Sequence, residues 1–96
     1  MKKLSLVYKQ PFMKVLREIH GIEQKYIETQ YYLYLYETKI VTPVKTFQLK
    51  DVLDVSYLHS QNKYSTLYLH TNQGVFAYYV SSHPEEFIRL LKSFQS

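Results

Sequence analysis

The sequence predicts a mainly β, α+β fold: six or seven antiparallel strands forming a partly open barrel, followed by one C-terminal amphipathic helix. Composition points there first, because Tyr, Phe, Val, Ile and Thr are abundant while the helix formers Ala and Glu are sparse. Periodicity points the same way. Side chains alternate in character at every second position in "YYLYLY" (31–36) and "TLYLH" (66–70), and the spacing changes to a helical one only near the end. Finally, turn-forming residues separate the alternating runs into segments of strand length.

Taken in order, Leu4, Leu6 and Tyr8 alternate with Ser5, Val7 and Lys9, which suits a first strand ended by Pro11. "FMKVLREIHG" fits two patterns. Phe12, Val15, Leu16 and Ile19 make a helical face, while Val15 and Ile19 share one strand face with Met13 and Arg17, and strand is the preferred reading. Gly21 permits a turn, and Tyr26 to Tyr36 reads as a long strand. In "IVTPVKTFQL", Pro43 must stand at an edge, in a bulge or between two short strands. "DVLDVSYLH" continues as a strand, with Asp51 and Asp54 expected to border a turn or bulge, and "SQNKYS" is the polar loop after it. "TLYLHT" and "VFAYYV" flank Asn72, Gln73 and Gly74 as a hairpin, with Leu67 and Leu69 on one face and Tyr68 and His70 on the other. Ser82 and Glu85 have capping-box spacing, and Pro84 suits a first helical turn. Phe87, Leu90, Leu91 and Phe94 then recur at helical spacing, with Ile88 widening the stripe. Burying those side chains is worth roughly 1.5 to 3 kcal/mol each, so the helix is expected to dock on the sheet.

Residues 1–96 read as one domain, a length that supports one core and not two. No cysteine is present, which excludes disulfides, cysteine-based zinc sites and thiol nucleophiles. The opening "MKKLSLVYK" has the lysines of a secretory signal, but its apolar run ends too early for one. No run approaches the roughly 20 apolar residues of a membrane helix. The expected compartment is the cytoplasm.

"FQLKDVLDVSYLH" (47–59), "TLYLHTNQGVFAYYV" (66–80) and "HPEEFIRLLKSF" (83–94) together resemble the second half of bacterial pleckstrin-homology-like domains. The resemblance implies a partly open barrel with one mouth plugged by the helix, serving as a scaffold that binds lipids, peptides or proteins without catalysis. Phosphoinositide-binding members carry a basic pattern around their first hairpin. Only Lys14 and Arg17 in "KVLR" stand near it here, so inositide recognition is not carried over to any residue. "LKDVLDVSYLHSQNKYSTLYLHTNQG" is also similar to part of LytTR-type DNA-binding domains, a resemblance that implies DNA contacts from Asn62 and Lys63.

The residues offer no catalytic or metal-binding constellation and imply no cofactor. His20, His59, His70 and His83 lack metal-ligand spacing, although His59 and His70 could meet across strands, and the serines stand in no triad context. Two features remain as binding candidates. Tyr32, Tyr34 and Tyr36 share one strand face, with Tyr31, Leu33 and Leu35 opposite, and Tyr68 or Tyr78 could extend the phenol face across neighbouring strands. The leucine face belongs to the core, which leaves the tyrosines at least half exposed. Cross-strand aromatic pairs stabilise a sheet by roughly 0.2 to 1 kcal/mol each without any ligand. As a binding face, Tyr32, Tyr34, Tyr36 and Tyr68 would suit a protein partner or a second copy of the chain.

The second candidate is charge. The net charge of +4 resides in the first 25 residues, where Lys2, Lys3, Lys9, Lys14, Arg17 and Lys25 face only Glu18 and Glu23. Such an excess discourages edge-to-edge pairing, and it can also attract an anionic partner. Lys9, Lys14, Arg17 and Lys63 are the anion-binding candidates, toward nucleic acid or, more weakly, an anionic membrane surface.

Overall fold

Buried positions alternate with more exposed ones in the strand segments that face the core, as in Ser65–Thr71, whereas the paired strands between Leu16 and Gln30 are exposed throughout. A computed structural model describes residues 5–95, so Lys2, Lys3 and Leu4 lie outside the described residues. The strands are β1 (Tyr8–His20), β2 (Glu23–Leu35), β3 (Lys39–Val41), β4 (Thr46–Gln48), β5 (Val52–Leu58), β6 (Ser65–Thr71) and β7 (Gly74–Val80). Helix α1 (Glu85–Gln95) closes the described chain. The strands form one antiparallel sheet in the order β4-β3-β2-β1-β7-β6-β5. β4 and β5 lie at its two ends, so the sheet is open, as the sequence predicts, and a 3-10 turn at Leu49–Asp51 carries the chain between them.

The sheet has two parts joined by a narrow seam. β1 and β2 pair along thirteen positions each, from Tyr8↔Leu35 to His20↔Glu23, whereas β1 meets β7 at a single pair, Met13↔Tyr79. One part is therefore β4-β3-β2-β1 and the other β7-β6-β5. Between them lies the core. Phe12, Leu33, Leu35, Ile40 and Phe47 come from the first part, Val55, Leu67, Leu69 and Val80 from the second, and Phe87 and Leu91 from α1. Leu33, Leu35, Leu67 and Leu69 are fully buried, in agreement with the assignment of the leucine face to the interior. Phe47 and Phe76 meet edge to face across the two parts, with ring centroids 4.9 Å apart, and this geometry suits the aromatic quadrupole.

Two boundaries differ from the sequence reading. Pro11 does not end a strand. It lies inside β1 opposite Tyr32, which the ladder tolerates because, among the described residues, β1 joins β7 only at Met13 and no strand flanks Pro11 on that side. Residues 12–20 are strand, the preferred of the two sequence readings. The Ser82 capping box does not form: Ile88 N–H donates to the Pro84 carbonyl at 3.0 Å, so Pro84 occupies the N-cap position and α1 starts at Glu85. The helix buries Phe87 and Leu91 fully, with Ile88, Leu90 and Phe94 packed alongside. Near its end Gln95 Nε2 donates to the Leu49 and Val52 carbonyls, which ties α1 to the 3-10 turn.

Other expectations stand. Pro43 lies in the connection between β3 and β4, whose Thr42 Oγ1 accepts the Val44 and Lys45 N–H groups in a tight turn. Asp51 ends the 3-10 turn, and the β5–β6 register shifts between Val52 and Asp54, where Asp54 Oδ1 accepts the Val55 N–H. The β6–β7 hairpin turns at Asn72 and Gln73, with Gly74 at φ +123°, a region that L side chains rarely adopt. Gly21, at φ +64°, opens the two-residue turn of the β1–β2 hairpin, as a first central glycine does.

Candidate partner-binding surface

Strand parity sorts every side chain of the long hairpin onto one of two faces. The inner face carries Tyr8, Gln10, Phe12, Lys14, Leu16, Glu18 and His20 of β1 beside Leu35, Leu33, Tyr31, Thr29, Ile27, Lys25 and Glu23 of β2. Lys9, Pro11, Met13, Val15, Arg17 and Ile19 lie on the outer face beside Tyr34, Tyr32, Gln30, Glu28, Tyr26 and Gln24. Near the body the inner face is core. Among the described residues, β1 has no second partner strand beyond Met13, and β2 pairs with β3 only at Tyr34 and Leu35. The hairpin from Lys14 to Thr29 is thus a two-stranded arm with both edges unpaired, and at about 3.3 Å per residue it projects roughly 25 Å. Apolar side chains are exposed on both of its faces: Leu16 (53%) and Ile27 (40%) inside, Ile19 and Tyr26 outside, and Ile22 (101%) at the tip. An exposed apolar edge of this kind is what monomeric sheets normally avoid.

The tyrosine ladder lies at the outer root of this arm. Tyr32 and Tyr34 have ring centroids 5.9 Å apart. Lys9 Nζ lies 4.6 Å above the Tyr32 ring, Gln30 Nε2 donates to the Tyr32 hydroxyl at 2.9 Å, and Lys39 Nζ is 5.4 Å from the Tyr36 ring. These neighbours cover the phenols, so Tyr32, Tyr34 and Tyr36 are partly buried and show less surface than the sequence suggests. Tyr68 lies two strands beyond the seam, on β6, where its ring neighbours His70 at 6.3 Å. Tyr78 does not extend the ladder at all. It points inward against Phe12, centroids 4.9 Å apart, and burial pushes its phenol up to about 12.

The basic candidates are dispersed. Lys9 rests on Tyr32, Arg17 lies eight residues farther along the same outer face, and Lys14 is on the inner face. Lys63 Nζ donates to Glu28 Oε2 at 2.7 Å and Oε1 at 2.9 Å, linking the β5–β6 loop to the arm. The Lys63 hydrogen bond holds the Glu28 carboxyl below its ordinary value, and the Glu28 carboxylate in turn raises the Lys63 ammonium. Desolvation raises the adjacent Tyr64 phenol, whose ring stacks on Tyr79. Asn62 N–H donates to Ser60 Oγ within the same loop. His59 and His70 do not meet, because His70 opposes Asp54 in the ladder and shares a 2.7 Å hydrogen bond with Ser56. Among the described residues no cluster of three or more His, Asp or Glu could hold a metal, and no helix is long and apolar enough to cross a membrane.

Sequence reasoning missed a cleft at the inner root of the arm. Phe12, Tyr31, Tyr78, Tyr79, Pro43 and Val44 line an apolar space of about 290 Å³, and Val44, on the β3–β4 loop, is 89% exposed. No period reveals it, since the β3–β4 loop and residues of β1, β2 and β7 form it together. Comparison with protein-family models, curated proteins and solved structures finds no match to this chain.

Proposed function

We propose that this chain is a nonenzymatic, pleckstrin-homology-like module of the cytoplasm that binds another protein, or a second copy of itself, through the β1–β2 arm. One observation carries the reading. The arm leaves two strand edges and the apolar side chains of Leu16, Ile19, Ile22, Tyr26 and Ile27 in water, at a cost that a docking partner removes. Tyr32, Tyr34 and Tyr36 border the arm's outer root, where they add rigid aromatic area. A DNA-binding role would rest on the similarity around Asn62 and Lys63. Among the described residues, the Lys63–Glu28 pair and the dispersal of Lys9, Lys14 and Arg17 give phosphates no converging cationic surface.

Photocrosslinking in the native cells tests the proposal. Benzoylphenylalanine at Ile22 or Tyr26 is expected to yield discrete, nuclease-resistant protein adducts, while the same group at Lys50, on the 3-10 turn, yields none. Equal labelling from all three positions, or adducts that vanish with nuclease, would reject the arm as a protein-binding element.

A further inference from the structure

The inner face of the arm has a charge pattern that selects its own occupant. We propose that two copies of this chain stack their arms face to face, antiparallel, about a two-fold axis at Leu16 and Ile27, with each tip reaching the other's cleft. The inference rests on the reading of the arm as a protein-binding element and names the partner.

The face carries, from root to tip, Phe12, Lys14, Leu16, Glu18 and His20 on β1 and Tyr31, Thr29, Ile27, Lys25 and Glu23 on β2. A two-fold axis across the ribbon at Leu16 sets position 16 + n of one copy over 16 − n of the other. Leu16 then meets Leu16 and Ile27 meets Ile27, which removes exposed apolar surface from water on both chains. Lys14 of each copy meets Glu18 of the other, giving two symmetric ion pairs, and Lys25 meets Thr29. His20 and Glu23, with the Gly21–Ile22 turn, come to lie over Phe12 and Tyr31 at the apolar cleft, whose outer wall is the exposed Val44.

Other registers fail on charge. An axis at Glu18 sets Glu18 on Glu18 and Lys25 on Lys25, and one at Lys14 sets Lys14 on Lys14. Shifting the axis by a single position places Leu16 on Glu18 or on Lys14. On the outer face, an axis at Arg17 opposes two arginines and an axis at Val15 opposes two Glu28 carboxylates. Like charges in direct opposition penalise the arrangements centred on Glu18, Lys14, Arg17 and Val15, and the one-position shifts press the Leu16 side chain onto a charged group that would lose water without a partner. Packed sheets stand about 10 Å apart, which leaves room for the apolar pairs and for the long Lys14 side chain to reach its partner. The covered face is small for a standard interface, so a reversible dimer of micromolar affinity is expected.

Charge exchange tests the register, with sedimentation equilibrium as the readout and circular dichroism as the fold control. Lys14→Glu and Glu18→Lys are each expected to be folded and at least tenfold weaker in self-association than the parent. Mixing the two variants one to one restores a dimer. In that mixture the carboxylate introduced at position 14 of one copy meets the ammonium introduced at position 18 of the other, while the retained Glu18 and Lys14 meet at the symmetric site. The double variant, with both charges exchanged, dimerises alone. A parent that stays monomeric at several hundred micromolar, or folded single variants that dimerise like the parent, would overturn the two-fold arrangement. Arm crosslinks to a different protein alongside a monomeric parent would leave the arm's binding role intact and remove only self-association. Loss of crosslinks and of dimer together would remove both.

Discussion

Tyr78 and Tyr79 are neighbours in sequence with opposite surroundings. Tyr79 stacks on Tyr64 at the outer surface, while Tyr78 packs on Phe12 and is pushed up to about 12 by loss of water around its phenol. The fold therefore favours the neutral phenol. Against an unfolded value of about 10, this contribution is complete below that pH and is lost as pH rises toward the folded value. Tyr78→Phe is expected to raise the pH of alkaline unfolding followed by circular dichroism, and an unchanged midpoint would mean that the ring stands in water. Strand parity told Tyr31 from Tyr32 in the sequence, because the leucines fixed which face was dry. It could not place Tyr78, since a strand bearing Val75, Phe76, Ala77, Tyr78 and Tyr79 is apolar on both faces and its register was unknown.

The arm is the element for which two periodicities compete. A helix would gather Phe12, Val15, Leu16 and Ile19 on one side, and a strand splits them between two. The structure takes the strand and leaves both sides apolar, so the mixed periodicity was itself the trace of a ribbon without a single core face. The long strand after Gly21 and the β6–β7 hairpin were plain in the sequence, but the cleft was not, because no local pattern records which loop folds over which strand. Lys63 and Glu28 anchor the arm's outer side. Since the Glu28 carboxyl lies below its ordinary value, the tie holds above that range and is lost as pH falls through it. Lowered heteronuclear NOE values for residues 15–27 are expected on acidification and, at neutral pH, in Lys63→Ala. Unaltered values in both would show that the strand pairing alone sets the arm's rigidity.

At the scale of the molecule, the arm makes the chain long, with principal extents of 55 × 30 × 24 Å. The radius of gyration is 15.1 Å, against roughly 12.5 Å for a compact chain of this length. What unites the two parts of the sheet is side-chain packing more than backbone pairing, given the single pair at Met13 and Tyr79. Phe47→Ala, which removes the Phe76 contact from one side of that core, is expected to cost about 3–5 kcal/mol in urea unfolding. A loss below about 1 kcal/mol would mean that the parts hold together without it.

The seam also fixes an order of events during synthesis. Tyr79 emerges from the ribosome long after Met13, its only β1 partner across the seam, while the β1–β2 hairpin needs nothing beyond Leu35. A nascent chain therefore carries every residue of the arm while the Lys63 tie and the rest of the core are still being translated. On a polysome, neighbouring chains would present those arms to one another before either domain is complete.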